Sequence, residues 1–277
     1  MKVLRDKVAV ITGAASGFGR ELAILCGQEG MRVVMTDVDE KGLRATDELL
    51  RPHRAQTLLI KCNVANAAEV ERVARETYER FGAAHLLFNN AGIAVAGPIW
   101  TTTLEDWQWT LGVNLMGVVH GIRSFVPRML RQGGECHVVN TASVAGLLSV
   151  PASSVYCVSK HGVVTLSECL HHELRLAKSE IGVSVLCPAF VNTGIGDSGR
   201  NRPTELAAGN PLAKPYEDRV RKALQSGKLS AADVARITME AVKAGRFYVL
   251  PHGNIKSAIE SRMRDILEER LPTNPMP

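Results

Sequence analysis

Val8-Ala9-Val10-Ile11, followed at once by Thr12-Gly13-Ala14-Ala15-Ser16-Gly17-Phe18-Gly19, decides how this chain is read. Four consecutive apolar residues ahead of a glycine-rich turn predict a strand buried on both faces, because a strand with one solvated face would alternate with polar residues. Beyond the turn, Leu22, Leu25 and Cys26 recur at helical spacing until Gly30 ends the pattern. Strand, turn and helix in this order open a βαβ unit. Glycines at the joint permit φ > 0 and close backbone approach, so the N–H groups at the helix start can hold a pyrophosphate at the positive end of the dipole. Glycine-rich joints also serve plain connections, and the surroundings must decide between the two.

Working outward, the alternation repeats. Strands are predicted at Val33 to Met35, Thr57 to Ile60, Leu86 to Phe88, Val138 to Val139, Val183 to Leu186 and Phe247 to Leu250. Helices are predicted at Gly42 to Leu50, Ala67 to Phe81, Trp107 to Arg131 and Tyr156 to Ala177. An amphipathic helix through Ile255, Ile259, Met263 and Ile266 closes the series. Short apolar strands separated by helices predict an α/β fold: a doubly wound, mostly parallel sheet with helices on both faces and the strands at Val138 and Val183 near its centre. The 277 residues, 45% of them hydrophobic, suit one domain spanning 1–277. Residues 193–215 turn polar and rich in Gly and Pro, as expected of a substrate lid or mobile loop. Residues 252–277 form a C-terminal helix and a tail whose Pro272 to Pro277 carry no packing signal.

Composition narrows the function. A net charge of +5 is modest for this length, and its densest cluster, Arg219, Arg221, Lys222 and Lys228, reads as the solvated face of a helix, which argues against a nucleic-acid partner. No apolar run reaches the length of a membrane span, and the first residues lack the pattern of a secretory signal. Six dispersed cysteines, without CxxC or Cys/His spacing, read as reduced thiols in a cytoplasmic protein and offer no metal site.

Asp37 follows the second strand, where its carboxylate can accept hydrogen bonds from both hydroxyls of an adenosine ribose and would repel a 2′-phosphate. Ser16 stands where an Arg or Lys would clamp that phosphate. The expected cofactor is therefore NAD rather than NADP, with Arg20 and Arg32 the residues that could favour NADP. A helix cap or a solvated loop acid is the structural alternative for Asp37, with Asp39 as a neighbouring competitor.

Tyr156-Cys157-Val158-Ser159-Lys160 sets a phenol and an ammonium four residues apart, on one face of a helix. A phenol titrates near ~10, so a base working at neutral pH needs about 4 kcal/mol of preferential phenolate stabilisation, which a partly desolvated ammonium can supply. With these motifs in order, the chain from Lys7 to about Leu250 resembles the short-chain dehydrogenase/reductase family. The resemblance rests on the Thr12 to Gly19 turn, Asn89-Asn90-Ala91-Gly92, Asn114, Ser143, Tyr156 with Lys160, and Pro188-Ala189-Phe190-Val191-Asn192-Thr193.

The resemblance implies a Rossmann fold and a hydride transfer between NAD and a secondary alcohol or ketone. Tyr156 would exchange the proton with the substrate oxygen, Lys160 would lower the phenol's pKa and hold the nicotinamide ribose, and Ser143 would orient the carbonyl. Asn114 would anchor a water leading to Lys160, its alternative being a buried polar residue that bends the helix. Gly13, Ser16, Gly17, Phe18 and Gly19 would surround the pyrophosphate, and Asn90 would pack beside the adenosine ribose. Val191 and Thr193 would meet the carboxamide. Asn63-Val64 stands where the family more often has Asp-Val at the adenine, and Ala189 replaces a frequent Gly; neither change removes a reacting group. A homotetramer or homodimer, packed through the helices of Asn114 and Tyr156, is likewise implied.

Ala145, Leu147, Leu148, Val150, Phe190 and Ile195 surround the implied substrate position, so a hydrophobic alcohol or ketone is expected, and a pocket without Arg or Lys would bind carboxylated or phosphorylated compounds poorly. His161 and the His171-His172-Glu173 run do not make a metal site, because neighbours on a helix diverge by about a hundred degrees. Trp100, Trp107 and Trp109 read as core or interface weight. Two other functions remain open: an NADPH-dependent 3-oxoacyl-thioester reductase with a basic docking surface, and a catalytically silent redox sensor, which would have no chemical reason to keep Asn114, Ser143, Tyr156 and Lys160.

Overall fold

In the computed structural model, which describes residues 1–207, 210 and 212–275, the opening strand is buried along its whole length. Ala9 and Ile11 pack into one apolar cluster with Leu22, Phe88 and Val242, while Val8 and Val10 pack into another with Leu87, Phe125 and Leu174. Successive side chains of a strand point to opposite faces, so this division places a core on each side of the sheet.

Seven strands among the described residues form that sheet: β1 (Val8–Thr12), β2 (Arg32–Asp37), β3 (Thr57–Lys61), β4 (Leu86–Asn89), β5 (His137–Thr141), β6 (Gly182–Leu186) and β7 (Tyr248–Val249). Their order is β3-β2-β1-β4-β5-β6-β7, and every pairing is parallel. β5 lies next to the central strand β4, as expected, but β6 lies one place from the edge. Helices α1 (Gly17–Gln28), α2 (Glu40–Leu50), α3 (Ala67–Phe81), α4 (Leu104–Leu111), α5 (Gly117–Gln132), α6 (Ser154–Leu176), α7 (Lys214–Gln225), α8 (Ala231–Ala244) and α9 (Lys256–Leu267) cover the faces and ends. The chain winds outward in both directions from β1 and β4, and in such sheets a crevice opens beyond the carboxyl ends of the strands at that reversal.

Four expectations change. The helix expected over Trp107 to Arg131 is two helices joined by a π-helical turn, Gly112–Met116. Residues 193–215 are not featureless: two 3₁₀ stretches, Gly194–Asn201 and Thr204–Leu206, precede α7, which begins at Lys214. Ala208, Gly209 and Pro211 of that stretch lie outside the described residues. The tail is tied down as well, since the Thr273 amide donates to the buried Asp265 carboxylate at 2.9 Å; Met276 and Pro277 lie outside the described residues. On α9, Met263 and Ile266 are exposed, and Ile255 just before it is the buried member of the expected stripe. The six cysteines are free thiols, and no helix among the described residues is long and apolar enough to cross a membrane.

Candidate active site

Gly13 and Gly17 hold the turn after β1 with φ of 69° and 54°, values that disfavour any side chain. Packing is as demanding. A Cβ on Gly13 would stand 2.8 Å from the Ala91 Cα, and one on Gly19 would stand 2.1 Å from the Gly13 carbonyl oxygen. The Thr12 hydroxyl accepts from the Asn90 and Ala91 amides at 2.9 and 3.0 Å, and the Asn90 side-chain amide donates to the Thr12 carbonyl at 3.0 Å. Asn90 thus joins the glycine turn to the end of β4. α1 starts at Ser16 without a side-chain cap and without an acidic residue in its first turn. Its opening N–H groups therefore suit an anionic group, as a pyrophosphate requires.

Asp37, at the end of β2, accepts from the Ala15 amide at 3.1 Å through one oxygen and from the Asp39 amide at 3.1 Å through the other. Burial raises its pKa above the ordinary carboxylate value, against the lowering effect of those amides. Asp39, not Asp37, caps α2 by accepting from the Gly42 amide. Arg20 is engaged by the Ala15 carbonyl and Thr46, and Arg32 by the Asp6 and Phe81 carbonyls. Asn63 accepts from the Ala65 amide at 3.0 Å, and the carbonyl of the buried Val64 meets His120 Nδ1 at 2.9 Å.

On α6, one helical turn brings Tyr156 and Lys160 together, with the Lys160 Nζ 5.7 Å from the centre of the Tyr156 ring. The ammonium is buried and donates to the Thr141 carbonyl at 2.8 Å. Burial lowers the Lys160 pKa to about 8 and pushes the phenol up to about 12, with the neighbouring Ser143 hydroxyl acting to lower it. Burial is thus the largest influence on the phenol, while the Lys160 ammonium lies beside the ring and is held by the Thr141 carbonyl. Ser143 accepts from the Ala145 amide at 3.2 Å and donates to the Pro188 carbonyl at 3.3 Å.

Asn114 lies in the π-helical turn, fully buried, where it accepts from the Ile93 amide at 2.8 Å and donates to the Ile93 carbonyl and Ser159 at 2.9 and 3.1 Å. π-turns recur at functional sites because the widened turn displaces a side chain from regular phase. A Cβ on Gly92 would stand 3.5 Å from both Asn114 Oδ1 and Lys160 Nζ, so the two groups flank one small space that this glycine leaves open.

A cavity of about 1290 Å³ is lined by Ser16, Gly17, Phe18, Asn90, Ser143, Tyr156, Lys160, Val191 and Thr193. Gly13, Gly19, Asp37, Asn63, Val64 and Asn114 do not line it; the first two sit behind the turn, and the next three lie toward β2 and β3. Of the residues expected around the substrate, Ala145, Val150, Phe190 and Ile195 line the cavity. Leu147 and Leu148 do not: Leu148 is buried and Leu147 packs on the cluster of Val163 and Val185. The cavity also contains arginines, contrary to expectation. Arg200, Arg202, Arg219 and Arg221 all line it, with Asp106, Asp197 and Glu217. Arg200 is held by the Gly194 and Asp197 carbonyls and Arg221 by Asp197 and Asp218.

Sequence reasoning missed Asp106, Trp109, Arg202 and Asn274, all of which line the cavity. The Thr103-x-x-Asp106 capping box was a legible signal for the start of α4, and nothing in the sequence points to Asn274. Trp109 belongs to the cavity wall, whereas Trp100 is exposed. His161 is bound to the Cys157 carbonyl, and His171 stacks edge-on against Phe247. Among the described residues no three His, Cys, Asp or Glu side chains are grouped to hold a metal.

Comparison with known proteins accords with this arrangement. Residues 7–203 match the family model described as short chain dehydrogenase. A short chain dehydrogenase/reductase from Burkholderia phymatum, solved in complex with NAD, has a TM-score of 0.97 at 47% identity, with 100% of each chain covered. A CLA biosynthesis dehydrogenase/reductase of Lactiplantibacillus plantarum is 32% identical over 98% of this chain and 97% of that protein. A C alpha-dehydrogenase of Sphingobium is 30% identical over 98% of this chain and 89% of the relative.

Proposed function

The chain belongs to the short chain dehydrogenase family, an oxidoreductase family, and on that footing we propose that it interconverts a secondary alcohol and a ketone with NAD as cofactor. One observation carries the reading: Tyr156, Lys160 and Ser143 line the same cavity as the glycine turn at the start of α1. The turn, Asp37 and the uncapped helix start fit a dinucleotide, which when bound supplies or accepts the hydride. Asp37, already tied to the turn through Ala15, would receive the ribose hydroxyls and disfavour a 2′-phosphate, while Arg20 and Arg32 are engaged elsewhere. Asn63 and Val64 would border the adenine; Val191 and Thr193 would border the nicotinamide.

The protein's own part is proton movement and orientation. The Tyr156 hydroxyl gives a proton to the carbonyl oxygen during reduction and takes one from the alcohol during oxidation. Ser143 holds the substrate oxygen, Lys160 contacts the ribose, and Asn114 positions the Lys160 ammonium by bordering its space. Because burial pushes Tyr156 up to about 12, the phenol keeps its proton at neutral pH. Ketone reduction, which needs the protonated phenol, should be flat near neutrality; alcohol oxidation, which needs the deprotonated one, should rise steadily toward alkaline pH. The segment 193–215 acts as the lid, the substrate is largely apolar, and the chain assembles as a dimer or tetramer in the cytoplasm, where free thiols persist.

A panel of alcohols and ketones followed by NADH absorbance tests the reading. Tyr156→Phe should bind NAD yet turn over at least about a hundredfold more slowly. Loss of NAD binding, or undiminished turnover, would refute it. A marked preference for NADPH would favour a thioester reductase instead.

A further inference from the structure

Opposite the glycine turn, α4 and the lid meet in a three-residue unit. Arg202 donates through Nη1 to the Asp106 carboxylate at 2.6 Å and through Nε to the Leu206 carbonyl at 2.5 Å. Its guanidinium carbon lies 5.1 Å from the centre of the Trp109 ring. Asp106 is buried and is also engaged by the Thr103 amide at 3.0 Å, where it completes the capping box of α4. The remaining Arg202 nitrogen, Nη2, is shielded from solvent and has no hydrogen-bond acceptor. A guanidinium has five donors in a rigid fork, and leaving a buried pair of them unmatched is unfavourable. All three members of the unit line the cavity that also contains Tyr156.

We propose that Arg202 recognises a second, uncharged oxygen on the substrate, remote from the reacting carbon, as a carbonyl, ether or hydroxyl would provide. This inference rests on the alcohol–ketone reading above and assigns that substrate its class: an apolar body with two oxygen functions. The charge of the pair decides against a carboxylate. Asp106 already neutralises Arg202, and Arg221 is paired with Asp197 and Asp218, so an anionic end group placed at Arg202 would be the second carboxylate against that cation, whereas a neutral acceptor completes the fork without adding charge. Asp106 and Trp109 fix the guanidinium plane, which makes Arg202 a directional reader; Ala96, Ala145, Val150 and Ala213, which line the same cavity, offer the body of the ligand apolar contact.

Calorimetry in the presence of NADH, with three ketones matched in length, tests this. One is a plain hydrocarbon chain, one has a terminal methoxy or second keto oxygen, and one has a terminal carboxylate. The oxygenated neutral ketone should bind about tenfold more tightly than the hydrocarbon, and the carboxylate no more tightly than the hydrocarbon. Arg202→Lys keeps the charge opposite Asp106 but removes the fork; it should abolish the tenfold advantage and leave the hydrocarbon's affinity within about twofold. Arg202→Met combined with Asp106→Asn removes the pair without stranding a charge and should behave alike. Equal affinity of the two neutral ketones, tightest binding of the carboxylate, or an equal loss for all ligands in Arg202→Lys would overturn the inference; the last outcome would make Arg202 a lid fastener only. Turnover of the hydrocarbon ketone by the unaltered protein, measured alongside, separates failure of this inference from failure of the alcohol–ketone reading.

Discussion

The two walls of the cavity are built by opposite means. Beside α1, backbone meets backbone: Gly13 against Ala91, Gly19 against Gly13, Thr12 against the amides of Asn90 and Ala91. Across from it, side chains do the fastening. Ser198 accepts from the Ala94 amide, Arg202 pairs with Asp106, Arg221 with Asp197, and Asn210 donates to Thr101. A wall made of main chain leaves no room for variation, because main chain cannot be retracted by a rotamer change. A wall made of side chains can be re-cut one residue at a time. The first suits a cofactor that stays the same, and the second suits a substrate that differs from one relative to another.

The contrast can be broken most directly at Gly19. Gly19→Ala would set a Cβ 2.1 Å from the Gly13 carbonyl oxygen, a contact no side-chain movement relieves, so a loss of about 3 kcal/mol in urea unfolding and weak NAD binding are expected. An alanine tolerated there without change would show that the turn is not rigid.

Lys160 tests the floor between the walls. Burial lowers it from 10.5 to about 8, so the native chain holds this proton more weakly than the unfolded chain does. The penalty is full below pH 8 and fades between pH 8 and 10.5. Lys160→Met should therefore raise stability at pH 7 by about 2 kcal/mol while turnover collapses, a gain that disappears near pH 10. Destabilisation at pH 7 would mean that the bond to the Thr141 carbonyl outweighs desolvation.

An effect that shows only as acid is added belongs to the sheet behind the turn. His137, buried on β5 against the Ser184 hydroxyl, is lowered by burial to about 4 from 6.5. The unfolded chain takes up this proton first as the pH falls. Stability should decline by about 1 kcal/mol per pH unit between pH 6.5 and 4, and His137→Gln should flatten that slope in urea titrations at successive pH values.

Smallest is Gly199, in the lid, where an added Cβ would meet nothing within 4 Å. Gly199→Ala should change the urea midpoint by less than about 0.5 kcal/mol. A larger loss would show that the lid packs as strictly as the turn.

The same contrast explains what could be read from the chain. The strands at Val8, Val33 and Leu86 and the helix at Ala67 were legible because burial on both faces leaves an unbroken apolar run and a 3.6-residue repeat leaves its own mark. Tyr156 with Lys160, and Ser143, were legible as motifs in order, although their electrostatics were not: the rise of the phenol to about 12 depends on how deeply α6 is packed. The π-turn was legible only as the possibility of a bend at Asn114, since the apolar pattern continues through Gly112 to Met116 and a widened turn has no sequence signature of its own. Arg202 did not stand out because its partner Asp106 lies 96 positions away, and pairings at that separation have no local signature.

The turn at Gly112–Met116 has a consequence for how this chain can be altered. It holds one residue more than an α-helical turn would, so α4 and α5 are out of phase with each other while remaining one continuous rod. Removing a single residue there would restore the ordinary pitch and swing everything upstream by about 100° around the axis, turning Asp106 and Trp109 away from the lid even though no residue outside the turn had changed. Length at this point is therefore a stricter requirement than identity.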